Sequence, residues 1–249
     1  MTILLLGDLT SRSRVALRML TYELEKRGHE VLMLPTALIS NTLNLGKAAM
    51  LDTTDYLTAS LATWQSLGLS YDLVYIGYVT GLAQAEKLCK IADDARARGV
   101  PVVVDPILGD NGRRYNSVTE EQTEAMKRLI CHADVITPNL TEACLLTDTP
   151  YGGADAGIAL DKLGEGGASV LITSAGDAVA GLDARTGERF VIPFERVPGE
   201  HWGTGDRFCA LLLDGLTRQM ALEQAARRAG DGVGEALKAE NPANPIDEV

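Results

Sequence analysis

The feature that most constrains the fold is an alternation of short, continuous apolar runs with longer stretches of helical spacing. Ile3–Leu6, Val31–Leu34, Leu73–Ile76, Val100–Val104, Val135–Ile136 and Val170–Ile172 read as strands buried on both faces. Between them, Leu88, Ile91, Ala92 and Ala95 recur at i, i+3, i+4 and i+7 within 83–98. Ala125, Met126, Leu129 and Ile130 make a similar stripe within 119–131, and Leu222, Ala225, Ala226, Ala229, Val233, Ala236 and Leu237 another near the end. Buried strands joined by amphipathic helices predict an α/β chain, with a mostly parallel central sheet and helices on both faces. Residues 178–194, broken at Asp183–Gly187, predict an antiparallel hairpin on the sheet edge. Residues 36–47 are too irregular for a helix and predict a small flap. With no linker rich in Pro, Gly or Ser and no internal repeat, residues 1–249 read as a single domain.

Charge and cysteine usage narrow the function classes. Lys+Arg number 23 against 34 Asp+Glu, a net charge of −11, and no basic run appears, which argues against a nucleic-acid partner. No apolar stretch approaches the ~20 residues of a membrane span, so no membrane role is expected. Cys89, Cys131, Cys144 and Cys209 are scattered singly, without metal-ligand spacing, as expected of reduced thiols in a cytoplasmic protein.

Open α/β sheets bind ligands beyond the carboxyl ends of their strands. Here Asp8 is expected after the first strand, Thr36 after the second and Gly77-Tyr78 after the third. Asp105-Pro106, Thr137-Pro138-Asn139 and Thr173-Ser174 follow the other three. The strongest local signal is GTGDRFCALLL at 203–213, where a glycine-flanked turn opens an apolar-periodic helix. Free N–H groups and the positive end of the helix dipole make such a turn an anion cradle. Asp206 beside it has either a chemical task or the ordinary one of accepting N–H bonds at a helix start. In DPILGDNGRRY, 105–115, Asp105 and Asp110 are spaced to face a common oxygen-ligated cation such as Mg²⁺, or else form a turn cluster. In TPNLTEA, 137–143, Asn139 and Glu142 fit a capping box, or hold phosphate oxygens or a metal-bound water. Neither a Walker A loop, nor a G-x-G-x-x-G fingerprint, nor a G-x-S-x-G elbow is present. His29 and His132 fall in helix-end turns and are expected to be solvated, while His201 and Trp202 either line the GTGD loop or pack beside it.

In this order the three motifs resemble the ribokinase-like superfamily, and more narrowly the vitamin B6 kinases, over essentially the whole chain. LPTALISNT at 34–42, IGYVTG at 76–81, DPILGDNGRRY, TPNLTEA and GTGD carry the likeness. The resemblance implies a ribokinase-like three-layer α/β/α sandwich that moves a phosphoryl group from ATP to the 5′-hydroxymethyl group of pyridoxal, pyridoxamine or pyridoxine. It implies Asp206 as general base and Gly203, Thr204 and Gly205 as the cradle for the transferring group. Asp105, Asp110, Asn139 and Glu142 match positions for ATP phosphates and Mg²⁺, with Asp110 and Glu142 on the metal side. Thr137 and Thr173 match positions near the phosphates and a monovalent cation such as K⁺, and Tyr115 and Ser174 match nucleotide contacts. Asp8, Thr36, Ser40 and Tyr78 match the substrate side, and a homodimer is implied. Two departures fall where substrate would be chosen. Ser40-Asn41-Thr42-Leu43 replaces the usual His-Thr pair after the flap serine, and TSRSR at 10–14 replaces a Gly-rich stretch, with Arg12 and Arg14 expected to face solvent on the first helix. The alternatives are a hydroxymethylpyrimidine or other small-alcohol kinase, and a non-catalytic binder of pyridoxal phosphate or nucleotide.

Overall fold

The computed structural model describes residues 1–42, 47–151, 155–199 and 201–239. Its elements run β1 (Thr2–Thr10), α1 (Leu17–Glu25), β2 (Glu30–Ile39), β3 (Met50–Asp52), α2 (Thr54–Ser66), β4 (Leu73–Ile76) and α3 (Leu82–Ala97). There follow β5 (Val102–Val104), β6 (Gly109–Asp110), β7 (Arg113–Arg114), α4 (Glu120–Ile130), β8 (Val135–Ile136), α5 (Leu140–Leu146) and α6 (Ala156–Gly164). The chain continues through β9 (Ser169–Ile172), β10 (Ala178–Asp183), β11 (Glu188–Pro193), α7 (Thr204–Thr217) and α8 (Leu222–Ala239). One sheet has the order β11-β10-β9-β8-β5-β4-β1-β2-β3, with β6 and β7 paired separately. From β9 to β2 all neighbours are parallel. The expected 178–194 hairpin adds antiparallel strands at one edge, and β3 adds one at the other.

Side-chain alternation along β1 shows how three layers arise. Ile3 and Leu5 pack with Leu17, Leu20 and Leu24 of α1, Phe208 and Leu212 of α7, and Ala225 and Ala229 of α8. Leu4 and Leu6 point the other way, into a core with Leu57 of α2, Leu88 and Ala92 of α3, Met126 and Leu129 of α4, Ala143 of α5 and Leu160 of α6. Each such aliphatic side chain contributes roughly 1.5–3 kcal/mol on full burial.

Four expectations need correction. β1 and β2 run on past their apolar runs, so Asp8 and Thr36 lie within strands and not beyond them. The backbone pairing continues to Thr10↔Ile39 across a register shift at Gly7/Asp8, and ladder bonds need only main-chain groups. The irregular 36–47 segment is strand as far as Ile39, held antiparallel against Met50–Asp52; residues 43–46, and with them the Leu43 departure, lie outside the described residues. Arg12 and Arg14 sit in the loop before α1, where Arg12 is exposed and the Arg14 guanidinium lies 4.5 Å from the centroid of the Tyr22 ring. His29 is not solvated. Its Nε2 lies 2.9 Å from Oδ1 of Asp214, a fully buried carboxylate that also binds Arg218 and Arg228. Burial alone would raise the Asp214 pKa, but these partners hold it at about 2. His132 is half-buried in a 2.7 Å pair with Asp93.

Candidate active site

The geometry of the site starts from the first turn of α7. Gly203 is its N-cap with φ 72°, a left-handed conformation in which a side chain is strained. A Cβ there would stand 3.2 Å from the Arg14 carbonyl oxygen and 3.4 Å from the Met19 and Val15 side chains. Above Gly205, by contrast, the space is open. Among the described residues the N–H groups of Thr204, Gly205 and Asp206 have no backbone partner, and they open at the positive end of a 14-residue helix beside the open space above Gly205.

Asp206, in the first turn, is half-buried. The structural alternative, that it accepts N–H groups of its own helix start, is not what is found. Its Oδ2 accepts the N–H of Ala16, the residue that opens α1, at 2.8 Å. Burial raises its pKa, the Ala16 N–H lowers it, and the neighbouring charges of Asp105 and Asp8 raise it, to about 7. Asp8 is buried in β1, and burial pushes it up to about 6. These carboxylates sit where neither form is strongly preferred near neutral pH, a condition suited to accepting a proton.

Beneath them, Asp105 follows β5 and is buried among donors. Tyr75 Oη donates to its Oδ2 at 3.0 Å and Thr137 Oγ1 to its Oδ1 at 2.8 Å, with Cys209 Sγ 3.4 Å from that threonine oxygen. Burial raises the Asp105 pKa and these donors oppose it, while burial and the Asp105 charge push Tyr75 and Cys209 up. Sequence reasoning missed Tyr75 and Cys209, because each occupies an apolar stripe and reads as core. It also missed the Ala16 N–H, since a main-chain donor leaves no signature in residue type.

The DNG turn closes a small hairpin. Asn111 and Gly112 take φ values of 52° and 76°, as a two-residue turn between β6 and β7 requires. Asp110 is exposed and accepts the Asn111 N–H at 2.8 Å, the turn-forming role. The capping box at α5 is formed: Glu142 Oε2 accepts the Asn139 N–H and Asn139 Oδ1 the Glu142 N–H. Glu142 Oε1 also accepts the Leu108 N–H at 3.1 Å, and Asn139 Nδ2 donates to the Gly109 carbonyl at 2.8 Å, so α5 grips the hairpin base. Burial, then Asp105, push Glu142 well above the usual carboxylate range. The partly buried Tyr115 hydroxyl is pushed up by burial and by the charges of Glu142, Asp110, Asp206 and Asp105. Ser174 Oγ accepts the Leu140 N–H at 3.2 Å, and the Thr173 N–H reaches the Pro138 carbonyl at 3.0 Å.

On the other side, Thr36 Oγ1 donates to the Tyr78 carbonyl at 2.7 Å. Tyr78 lies in the core beside β4, its Oη accepting from Gln122 Nε2 at 2.7 Å; burial and the nearby Asp8 raise its pKa. Ser40 stands at the exposed end of β2, donating to Asn41 Oδ1 and accepting from Ala49. His201 turns back toward the Pro198 carbonyl, 3.2 Å away, and Trp202 is half-buried beside Gly203.

The acids at this sheet end raise one another's pKa values, and a cation would relieve that repulsion. Among the described residues no three His, Cys, Asp or Glu side chains gather as an all-protein metal cage. The donors present are oxygens, which suits Mg²⁺ held by one or two carboxylates with phosphate and water completing its shell.

Comparison with known proteins identifies the family. The phosphomethylpyrimidine kinase family profile matches residues 31–246. A pyridoxine/pyridoxal/pyridoxamine kinase of Bordetella avium is 31% identical over 224 residues, covering 82% of this chain and 74% of the relative. The crystal structure of pyridoxal kinase from Lactobacillus plantarum superposes with a TM-score of 0.84 at 32% identity, over 96% of this chain and 88% of that one. A structure from Bacteroides thetaiotaomicron, assigned to the phosphomethylpyrimidine kinases and crystallised with pyridoxal, gives 0.87 at 31% identity, over 96% and 87%. With its mostly parallel sheet, its GTGD cradle at the head of α7 and these relatives, the chain belongs to the vitamin B6 kinase branch of the ribokinase-like superfamily.

Proposed function

We propose that the protein phosphorylates the 5′-hydroxymethyl group of a B6 vitamer with ATP, Asp206 being the general base. The observation that carries this reading is the Asp206 carboxylate itself. It is tied by Oδ2 to Ala16, set in the first turn of a helix with free N–H groups, and raised to about 7 by burial and by Asp105 and Asp8. A carboxylate beside an anion cradle repels a bound phosphate, and its place there makes sense when it removes the proton of an attacking hydroxyl. The N–H groups around Thr204 and Gly205 then stabilise charge on the transferring group. Asp105, Glu142, Asn139 and Asp110 would hold Mg²⁺ and the phosphates, and Mg²⁺ when bound would neutralise phosphate charge. A K⁺ near Thr137 and Thr173, and nucleotide contacts from Tyr115 and Ser174, complete the donor side. Asp8 would meet the ring nitrogen or 3-hydroxyl of the substrate, with Thr36, Ser40 and Tyr78 shaping that side.

A second reading, a hydroxymethylpyrimidine kinase, is favoured by the family profile. An ADP-release assay with Mg-ATP on pyridoxal, pyridoxamine, pyridoxine and hydroxymethylpyrimidine separates the two. Asp206→Asn is expected to keep ATP binding while kcat falls by about 10²–10⁴; unchanged turnover removes Asp206 from the base role. Free cysteines at 89, 131, 144 and 209 support a reducing compartment such as the cytoplasm. An exposed apolar pair at an open sheet edge, Leu38 opposite Leu51, supports a homodimer.

A further inference from the structure

Next to the base lies a buried ion pair to which the phosphoryl-transfer reading gives no task. Arg207, directly after Asp206, donates through Nε to Glu23 Oε1 at 3.1 Å, and both side chains are nearly fully buried. Glu23 sits on α1 and its second oxygen takes the Arg27 guanidinium. The same helix opens at Ala16, whose N–H binds Asp206 Oδ2. The loop leading to Ala16 is strained, with Ser13 and Ala16 at φ 73° and 50°. It is tied down by Arg18, which donates to the Ser13 carbonyl at 3.1 Å, and by Gly203, packed under the Arg14 carbonyl. α1 therefore meets the head of α7 at two polar points about two turns apart, one of which is the base itself.

We infer that Glu23 is a positioning residue for Asp206: through Arg207 it clamps α1 on α7, so that the Ala16 N–H stays on Oδ2 and Oδ1 remains the atom that receives the substrate proton. Among the described residues Oδ1 accepts no hydrogen bond, which fits that division. The inference rests on the kinase reading above. The groups facing Asp206 are Asp8 from β1, Tyr75 from β4, Asp105 after β5, Tyr115 after β7 and Cys209 on its own helix. Those facing Glu23 are Arg27 and Arg207.

The test is Glu23→Gln, with Glu25→Gln on the exposed side of the same helix as control. Steady-state kinetics and amide hydrogen exchange at Ala16 are read together. In Glu23→Gln, kcat is expected to fall about ten- to a hundredfold with both KM values within about twofold, as for a misplaced catalytic group. The acidic limb of its pH–rate profile moves to higher pH, because Asp206 loses a donor that favours its charged form. Ala16 loses exchange protection, and the control matches wild type. Glu23→Asp, which keeps the charge, is expected to fall between, and carries the same test if the glutamine variant does not fold. Unchanged kcat and unchanged Ala16 protection in either folded variant overturns the positioning role. So does a loss of kcat with the acidic limb in place. Wild type inactive on all four substrates, with Ala16 protection still lost in Glu23→Gln, instead overturns the kinase reading and leaves the α1–α7 clamp standing.

Discussion

Asp8 and Asp206 hold protons in the folded protein that an unfolded chain would release. Their pKa values stand at about 6 and about 7 against 3.8 for an unperturbed aspartate. For acids raised on folding the native state binds the extra proton, so stability falls as pH climbs from about 4 through about 7. Above that range the full cost of two buried negative charges is present. Replacing either with a neutral amide removes the cost. Asp8→Asn and Asp206→Asn are expected to raise Tm over wild type by more at pH 8 than at pH 5, read by thermal melts in matched ionic strength. A gap that is constant or reversed would show that neither carboxylate is charged at a stability penalty. If Asp206 is the base proposed above, activity would move the opposite way, because only its ionised form accepts a proton, and turnover should fall as pH drops below about 7.

At the scale of elements, the two glycines of the cradle have separate tasks. Gly203 is held in a left-handed conformation against the Arg14 carbonyl, so Gly203→Ala should lose about 1–2 kcal/mol of stability by urea titration. Gly205 has open space above it, so Gly205→Ala should leave the urea midpoint in place and raise KM for ATP, because the new methyl enters the volume proposed for phosphate. Equal midpoints for the two variants would contradict this division. How much of these elements was legible follows from what makes each one. The inner strands and the helices at 82–97, 120–130 and 222–239 are driven by apolar burial, which composes a readable pattern, and the Asn139–Glu142 box is written in residue types. β3 depends on pairing with Ala37–Ile39, a long-range choice that Met50–Asp52 does not advertise. His29 does lie in the turn after α1, but its burial against Asp214 has no local signal, because that partner lies far along the chain. The polar positions of the site were readable as a set, but the Tyr75–Asp105–Thr137–Cys209 network was not, since it exists only once β4, β5, β8 and α7 converge.

At the scale of the molecule, the β3 edge is the face on which the proposed homodimer would dock. Leu38 and Leu51 are paired across strands and exposed, with Tyr56 exposed at the start of α2. Edge strands with apolar side chains are usually covered. Leu51→Glu with Tyr56→Lys should convert a dimer to a monomer in sedimentation velocity while each change costs no more than about 0.5 kcal/mol of stability, as surface changes do. A wild-type monomer at tens of micromolar would remove the proposal.

The layer formed by α7 and α8 has a consequence for biosynthesis. Every strand of the sheet is made before these two helices, yet Ile3, Leu5, Tyr75, Val103 and Leu171 share a core with them as well as with α1. A ribosome that has finished the sheet therefore carries a chain whose α1 face is only partly covered and which lacks Asp206, the proposed base. Transiently exposed apolar surface of this kind is what makes folding intermediates prone to aggregate. On the proposed reading, the base and the last cover for this face arrive together, on the same pair of helices.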